Sequence, residues 1–392
     1  MAETGVRPPT WIELSESALR ANLQFLQRRI GKTTRFVSVV KGNAYGHRIE
    51  YYVPLAERCG VRHFAVYGAE EAARVLAART ADSSILIMGY IDDHDLRWAV
   101  EHGIAFYVFD LARLDAALRA ARRVGRPARV HLEVETGMHR VGLSRRSLLR
   151  AVERLHRHPE LLVAEGLCTH FAGAESSSND FRIREQIVVF REYSELFAAE
   201  GFADVRRHAA CSAVIFNYPE CIFDLVRSGI AQYGYWPSQE TRLRYMADRG
   251  NGRLRRDPIL KRILTWKSRV MNLKTVPAGA YVGYGNSYQA GRKLRLAAVP
   301  TGYYHGFARA QGNLGHVLIH GARCPVVGVV NMNMFTADVT DVPGVKLGDE
   351  VVIIGRQGEQ DISVGAFGER THDLNYEVLV RLPNEVPRLV VA

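Results

Sequence analysis

The chain has 392 residues, 47% of them hydrophobic and 24% charged, with a formal net charge of +11. That length is ample for two domains, and no apolar run approaches the roughly 18 residues a membrane span needs. Five scattered cysteines without a C-x-x-C pair argue against a disulfide framework or a zinc site and predict a reducing, cytoplasmic setting.

The opening "MAETGVRPPTWIEL" has no apolar core of the kind a signal peptide carries, and its "TWIEL" (10–14) reads as a strand belonging to either domain. Apolar, β-branched runs then recur at 35–40, 63–68, 83–89, 104–110, 129–137, 162–171, 205–212 and 225–234. Helical stretches separate them, such as "DLARLDAALRAARRVG" (110–125) and "DFRIREQIVVFREYSELFAAEG" (180–201), the latter stopped by a glycine. Eight strand-then-helix units over about 230 residues fit a (β/α)8 TIM barrel. A doubly wound sheet is the alternative, but no G-x-G-x-x-G follows the first strand.

After about residue 250 the texture changes to short strands punctuated by Gly, Pro and Asp, as in "ILTWKSRVMNLKTV", "VLIHGARCPVVGVV" and "VVIIG". The expected division is a barrel domain over 1–245 and a mostly β domain over 246–392, with 10–14 free to join the second. The one dense basic run, "RLRRDPILKR" (253–262), lacks any aromatic platform or DNA-reading motif and is read as a solvated connector, so neither nucleic acid nor membrane is expected as a partner.

In TIM barrels, chemistry gathers at the C-terminal ends of the strands. Here Lys41 ends the first strand, in "RFVSVVKGNAYGH", Arg140 follows the fifth, His170 ends the sixth, Ser212 the seventh, and Arg227 lies in the eighth segment. An amine is costly to bury unless it is paired or chemically employed. Loops after strands seven and eight often bind phosphate, and these offer Ser212 and the backbone at Gly229 and Ile230. Lysine and cradle together suggest a phosphorylated aldehyde, with Lys41 as Schiff-base nucleophile. Each residue alone has a plainer reading: a snorkelling surface lysine, a core histidine bonded to backbone, a serine capping a helix.

Ordered blocks along nearly the whole chain resemble the alanine racemases: "VVKGNAYGH", "VETGMHRVG" (134–142), "THFAGAE" (169–175), "VRSGIAQYG" (226–234), "VGYGNSY" (282–288), "NMNMF" (331–335) and "NYEV" (375–378). The resemblance implies a pyridoxal 5'-phosphate (PLP) barrel, a C-terminal β domain, and a homodimer with shared active sites. It implies that Lys41 holds PLP and acts as one base, while Tyr284 of the partner subunit acts as the other. Tyr45, Tyr376, Ser212, Gly229 and Ile230 would bind the phosphate, Arg227 the pyridine nitrogen and Arg140 the ring hydroxyl. His170 would bond Tyr284 of the partner subunit, Arg140 and Met332 of the partner subunit would help hold the substrate carboxylate, and a chain from His170 to Arg227 would favour the phenolate. The activity implied is interconversion of L- and D-alanine for cell-wall precursors.

Four positions depart from the family pattern: Glu133 where a carbamylated lysine is common, Cys211 for asparagine, and His305 and Asn333 for aspartates. Glu133 is expected to supply the anion that holds Arg140; Cys211 is read as a packing variant. Racemisation of serine or another amino acid, an amino-acid decarboxylase, and a non-catalytic PLP-carrier barrel stand as alternatives. The last would need neither the second domain nor "GYG".

Overall fold

The computed structural model describes residues 8–247, 259–368 and 374–392. Most of the basic connector therefore lies outside the described residues. The chain divides into two compact units, one comprising Ala18–Gly42 and Tyr52–Lys261, the other Asn43–Tyr51, Arg262–Ala392 and the described part of Met1–Ser17.

Strand β1 (Thr10–Ser15) belongs to the second unit. The first unit is a nearly closed barrel of eight strands: β2 (Arg35–Val39), β3 (His63–Val66), β4 (Ser84–Ile87), β5 (Ala105–Val108), β6 (Ala128–Glu133), β7 (Leu162–Cys168), β8 (Arg206–His208) and β9 (Leu225–Ser228). Every ladder is parallel, in the order β8-β7-β6-β5-β4-β3-β2-β9. Single bonds join the remaining edges, from Asp224 N to Arg207 O (3.1 Å) and from Arg227 N to Ala210 O (2.9 Å). The helices form as their patterns dictate. Asp110 caps Leu111–Val124 by accepting from Arg113 N at 2.7 Å, and Gly125 ends it at φ 72°.

The strands are shorter than the apolar runs, chiefly at their C-terminal ends. β2 stops at Val39, β6 at Glu133 and β9 at Ser228. What the periodicity reads as strand continues there into the turns that form the barrel mouth. In β6 the pairing with β7 slips between Val130 and His131, so that Val130 faces Ala164 and His131 faces Gly166. A Cβ on Gly166 would lie 2.1 Å from His131 Nδ1; its absence admits the imidazole.

The second unit is built on a seven-stranded sheet in which β1 pairs antiparallel with β10 (Leu264–Arg269) and parallel with β18 (Arg388–Val391). Strands β11 (Asn272–Val276), β12 (Leu294–Val299) and β15 (Phe335–Asp338) make a separate three-stranded sheet. The main sheet is completed by β13 (His316–Ile319), β14 (Ala322–Pro325), β16 (Glu350–Gln357) and β17 (Gln360–Ile362). Lys267 crosses three strands, its Nζ 2.9 Å from Glu13 and 3.0 Å from Glu350. "NYEV", within the β-rich part, forms a short helix, Asn375–Val380.

Candidate active site

Lys41 does not end a strand. It opens a single helical turn, Lys41–Tyr45, that is left-handed, with φ of 62°, 54°, 55° and 51° at Gly42, Asn43, Ala44 and Tyr45. Three non-glycine residues in that region cost about 1–2 kcal/mol each, so the conformation needs outside support. Asn43 Oδ1 accepts from Ile49 N (3.0 Å) and its Nδ2 donates to Asn384 Oδ1 (2.7 Å). Buried His47 places Nδ1 2.9 Å from the carbonyl oxygens of both Ala44 and Tyr45, and Arg388 donates to Gly46 O at 2.7 Å. Since both partners of Nδ1 are acceptors, the proton is on Nδ1. Burial drives the His47 pKa to about 3, so the ring is neutral.

At the barrel mouth, Tyr233 Oη and Gln232 Nε2 both donate to Val39 O at 3.0 Å, bracing the backbone just before Lys41. The lysine side chain reaches solvent through the mouth, yet enough protein surrounds it that burial is the chief cause of its lowered pKa; Arg140 and Arg227 add to the effect and Glu71 opposes it. Ser212 begins the short helix Ser212–Asn217, and its Oγ accepts from Gly229 N (3.0 Å) and Ala231 N (3.3 Å). Between them, the N–H of Ile230 has no acceptor among the described residues. Ser212, Gly229 and Ile230 are thus brought together at the barrel mouth, held by the bond from Gly229 N to Ser212 Oγ.

Arg227, 6% exposed, spans the ends of β7 and β8. Its Nη2 donates to Thr169 O at 2.8 Å, while Nη1 donates to His208 O at 3.1 Å and to His208 Nδ1. Arginine has no acceptor, so His208 Nδ1 carries no proton and Nε2 does. His208 Nε2 then donates to His131 Nδ1 at 2.8 Å, which fixes the tautomer of His131 as well. Burial, reinforced by Arg227, lowers both pKa values, that of His131 to about 3.

His170 is also neutral, its pKa lowered to about 3 by burial and then by Arg227, Arg140 and Lys41. The expected hydrogen-bond chain from His170 to Arg227 is not formed: the bonded donors of Arg227 go to His208 and backbone carbonyls, because the strand ends present those acceptors first. Arg140 is exposed, in a turn whose N–H groups at Gly137, Met138 and His139 are held by the Glu135 carboxylate at 2.6–3.0 Å. Glu133 makes no ion pair with Arg140 among the described residues. It is 5% exposed, its carboxyl accepts no hydrogen bond there, and burial raises its pKa to about 7 against the opposing pull of Arg227 and Arg140.

In the second unit, the rings of Tyr45 and Tyr376 lie 6.1 Å apart. Tyr284 projects from the 282–288 turn and is 74% exposed; Met332 is 56% exposed and its carbonyl accepts from Tyr304 N at 2.9 Å. His305 Nδ1 accepts from Gly302 N at 3.2 Å, holding the 302–305 turn, and Asn333 is exposed.

Residues 14–237 match the family described as alanine racemase, N-terminal domain, and 263–390 match alanine racemase, C-terminal domain. The chain belongs to the alanine racemase family. Among relatives, the alanine racemase of Symbiobacterium thermophilum is 36% identical, covering 98% of this chain and 97% of its own. That of Leptospira interrogans is 35% identical, covering 97% and 96%. The solved alanine racemase of Clostridium difficile superposes with a TM-score of 0.88 at 28% identity, covering 98% of this chain and 96% of that one.

Within this alanine racemase fold, the residues that sequence reasoning passed over are His131 and His208. Both stood in the predicted strands, and His131 shares strand parity with Glu133, which is the signal that puts both on one face. Their bond depends on the β6–β7 slip and on Gly166, neither of which periodicity reveals.

Proposed function

We propose that the chain is a PLP-dependent alanine racemase using Lys41 and Tyr284 of the partner subunit as its two bases. The observation that carries this reading is the barrel mouth: an amine with a lowered pKa flanked by Arg140 and Arg227, beside a Ser212 cradle with an unfilled N–H. Guanidinium, amine and hydroxyl form the donor set a phosphorylated, anionic aldehyde requires, so the residues fit PLP. When bound there, PLP supplies an electron sink that makes the α-proton of an attached amino acid removable.

Racemisation takes the proton from one face of Cα and returns it to the other, so two bases must flank that carbon. Lys41 Nζ serves one face, and the burial that, with Arg140 and Arg227, lowers its pKa enlarges the neutral fraction able to accept a proton. Tyr284 Oη of the partner subunit serves the opposite face, with neutral His170 as its hydrogen-bond partner. Ser212, Gly229, Ile230, Tyr45 and Tyr376 hold the phosphate. Arg227 would direct a donor at the pyridine nitrogen and Arg140 one at the ring hydroxyl, while Arg140 and Met332 of the partner subunit would orient the substrate carboxylate. Arg227 at the ring nitrogen would disfavour its protonation and so moderate the electron sink that PLP supplies, favouring return of the proton to Cα over transamination.

The same reading includes a homodimer, a barrel domain over 1–245 from which 10–14 join the β domain of 246–392, a cytoplasmic setting, and supply of D-alanine to cell-wall precursors. Five free cysteines support the reducing compartment, and among the described residues no helix is long and apolar enough to cross a membrane. The exposed Tyr284 and Met332 support a subunit interface.

Chiral chromatography after incubating the PLP-loaded enzyme with L-alanine, and separately with L-serine, tests the activity. Equal amounts of both alanine enantiomers, with serine slower, are expected. Faster turnover of serine would keep the mechanism and reassign the substrate, and no change in either would defeat the proposal.

A further inference from the structure

The proposed chemistry lies at the C-terminal ends of the strands. At the opposite end, a second set of charged side chains converges on the barrel interior. Arg35, His63 and Arg206 are the first residues of β2, β3 and β8, and Arg129 is the second of β6. Alternation along a strand places Arg129 on the face of His131, and Arg206 on that of His208. Those imidazoles bond each other inside the barrel, so both guanidiniums begin on its inner wall. Arg35 shares parity with buried Val37 and Val39.

Among the described residues one carboxylate, Glu165, answers these three arginines, and it is paired with Arg129. Glu165 takes Arg129 in a fork, Nε at 2.6 Å and Nη2 at 3.2 Å, while Arg129 Nη1 donates to Gly103 O at 2.8 Å. The guanidiniums of Arg35 and Arg206 make no hydrogen bond or ion pair among the described residues. They are half-buried, and their charges act on each other. The Arg35 pKa is lowered by burial and then by Arg206, with Arg129 adding and Glu165 opposing. His63, bonded through Nδ1 to Ser84 Oγ at 2.7 Å, is lowered to about 4 by burial and then by Arg35 and Arg206, and so is neutral near pH 7.

We propose that Arg35 and Arg206 form a second, non-catalytic site at the N-terminal end of the barrel that binds a small oxyanion of the phosphate class. Planar guanidinium forks match tetrahedral oxyanions and form charge-assisted hydrogen bonds with them, and a half-enclosed position weakens competition from water. An anion there offsets a like-charge repulsion that the protein leaves standing. Ligand binding to the folded state alone then stabilises the barrel by mass action.

The test follows thermal unfolding of the PLP-loaded enzyme in inorganic phosphate, sulfate and chloride at matched ionic strength. A saturable rise in midpoint with phosphate and sulfate, beyond that with chloride, is expected. Arg206→Gln and Arg35→Gln should each weaken phosphate binding by about tenfold or more, read independently from the 31P linewidth. They should also begin from a higher midpoint in phosphate-free buffer, because removing one guanidinium relieves the repulsion. The wild-type and variant curves therefore cross as phosphate rises, which a merely structural arginine would not produce, and racemisation stays near wild type. Variants less stable than wild type without phosphate would overturn the proposal. So would a rise that survives both substitutions but disappears in Ser212→Ala, which would assign the phosphate to the opposite end, or no saturable dependence.

Discussion

Glu133→Gln isolates a buried carboxyl that has no hydrogen-bond partner among the described residues. Its folded pKa is about 7 against an ordinary 4.5. A carboxyl whose pKa is raised by folding contributes stability that is fully present below the unfolded value. That contribution is lost as pH rises through the folded one. The gap of roughly two and a half pH units corresponds to about 3 kcal/mol lost by pH 8.5, at about 1.4 kcal/mol per unit. At pH 5 the same linkage leaves less than about 1 kcal/mol of difference. Glutamine mimics the protonated acid and never incurs the cost. The variant should therefore match wild type at pH 5 and exceed it by up to about 3 kcal/mol at pH 8.5, in denaturant unfolding of the PLP-loaded enzyme. A variant weaker than wild type at pH 8.5 would refute this reasoning. It would show the carboxylate ionised and engaged with Arg140, as the sequence predicts, or with Arg227.

Three further outcomes follow from the same geometry. Lys41→Ala and Tyr284→Phe should each abolish racemisation as homodimers, whereas an unfolded-and-refolded equal mixture should recover about a quarter of wild-type activity, because mixed dimers rebuild one complete site of two; no recovery would count against shared sites. Ser212→Ala removes the acceptor for Gly229 N and Ala231 N. It should raise the PLP concentration needed for half-maximal cofactor absorbance by about tenfold, equivalent to one lost hydrogen bond of about 1.4 kcal/mol. His131→Phe strands the Nε2–H of His208 in the core and should cost about 1–3 kcal/mol of stability. His131→Asn, which can restore an acceptor at the Nδ1 position, should recover most of it.

Much of the site was legible because it is written in local chemistry. A lysine after a β-branched run, a serine and a glycine at two later strand ends, and the order of the "VETG", "THF" and "GYG" blocks survive without coordinates. Strand limits did not survive, since Val40, the 134–137 stretch and Ile230 are as apolar or extended in pattern as the strands they follow. Only hydrogen-bond pairing separates ladder from mouth. The left-handed turn at Gly42–Tyr45 was invisible for another reason: Ala44 and Tyr45 disfavour that conformation, and its support comes from Asn384 and Arg388, over 300 residues away in the chain.

By itself the sequence determined the alternation of eight strands with helices, the change to β-rich texture after about residue 250, and which residue types stand at the strand ends. Those are periodicities and short-range preferences, and they are local. Only the tertiary structure decided that His131 meets His208, that Arg227 bonds the ends of β7 and β8 and not His170, and that Glu133 stands buried with no partner among the described residues. Protonation states and hydrogen-bond partners depend on burial and on which strands adjoin, and both arise only when the barrel closes.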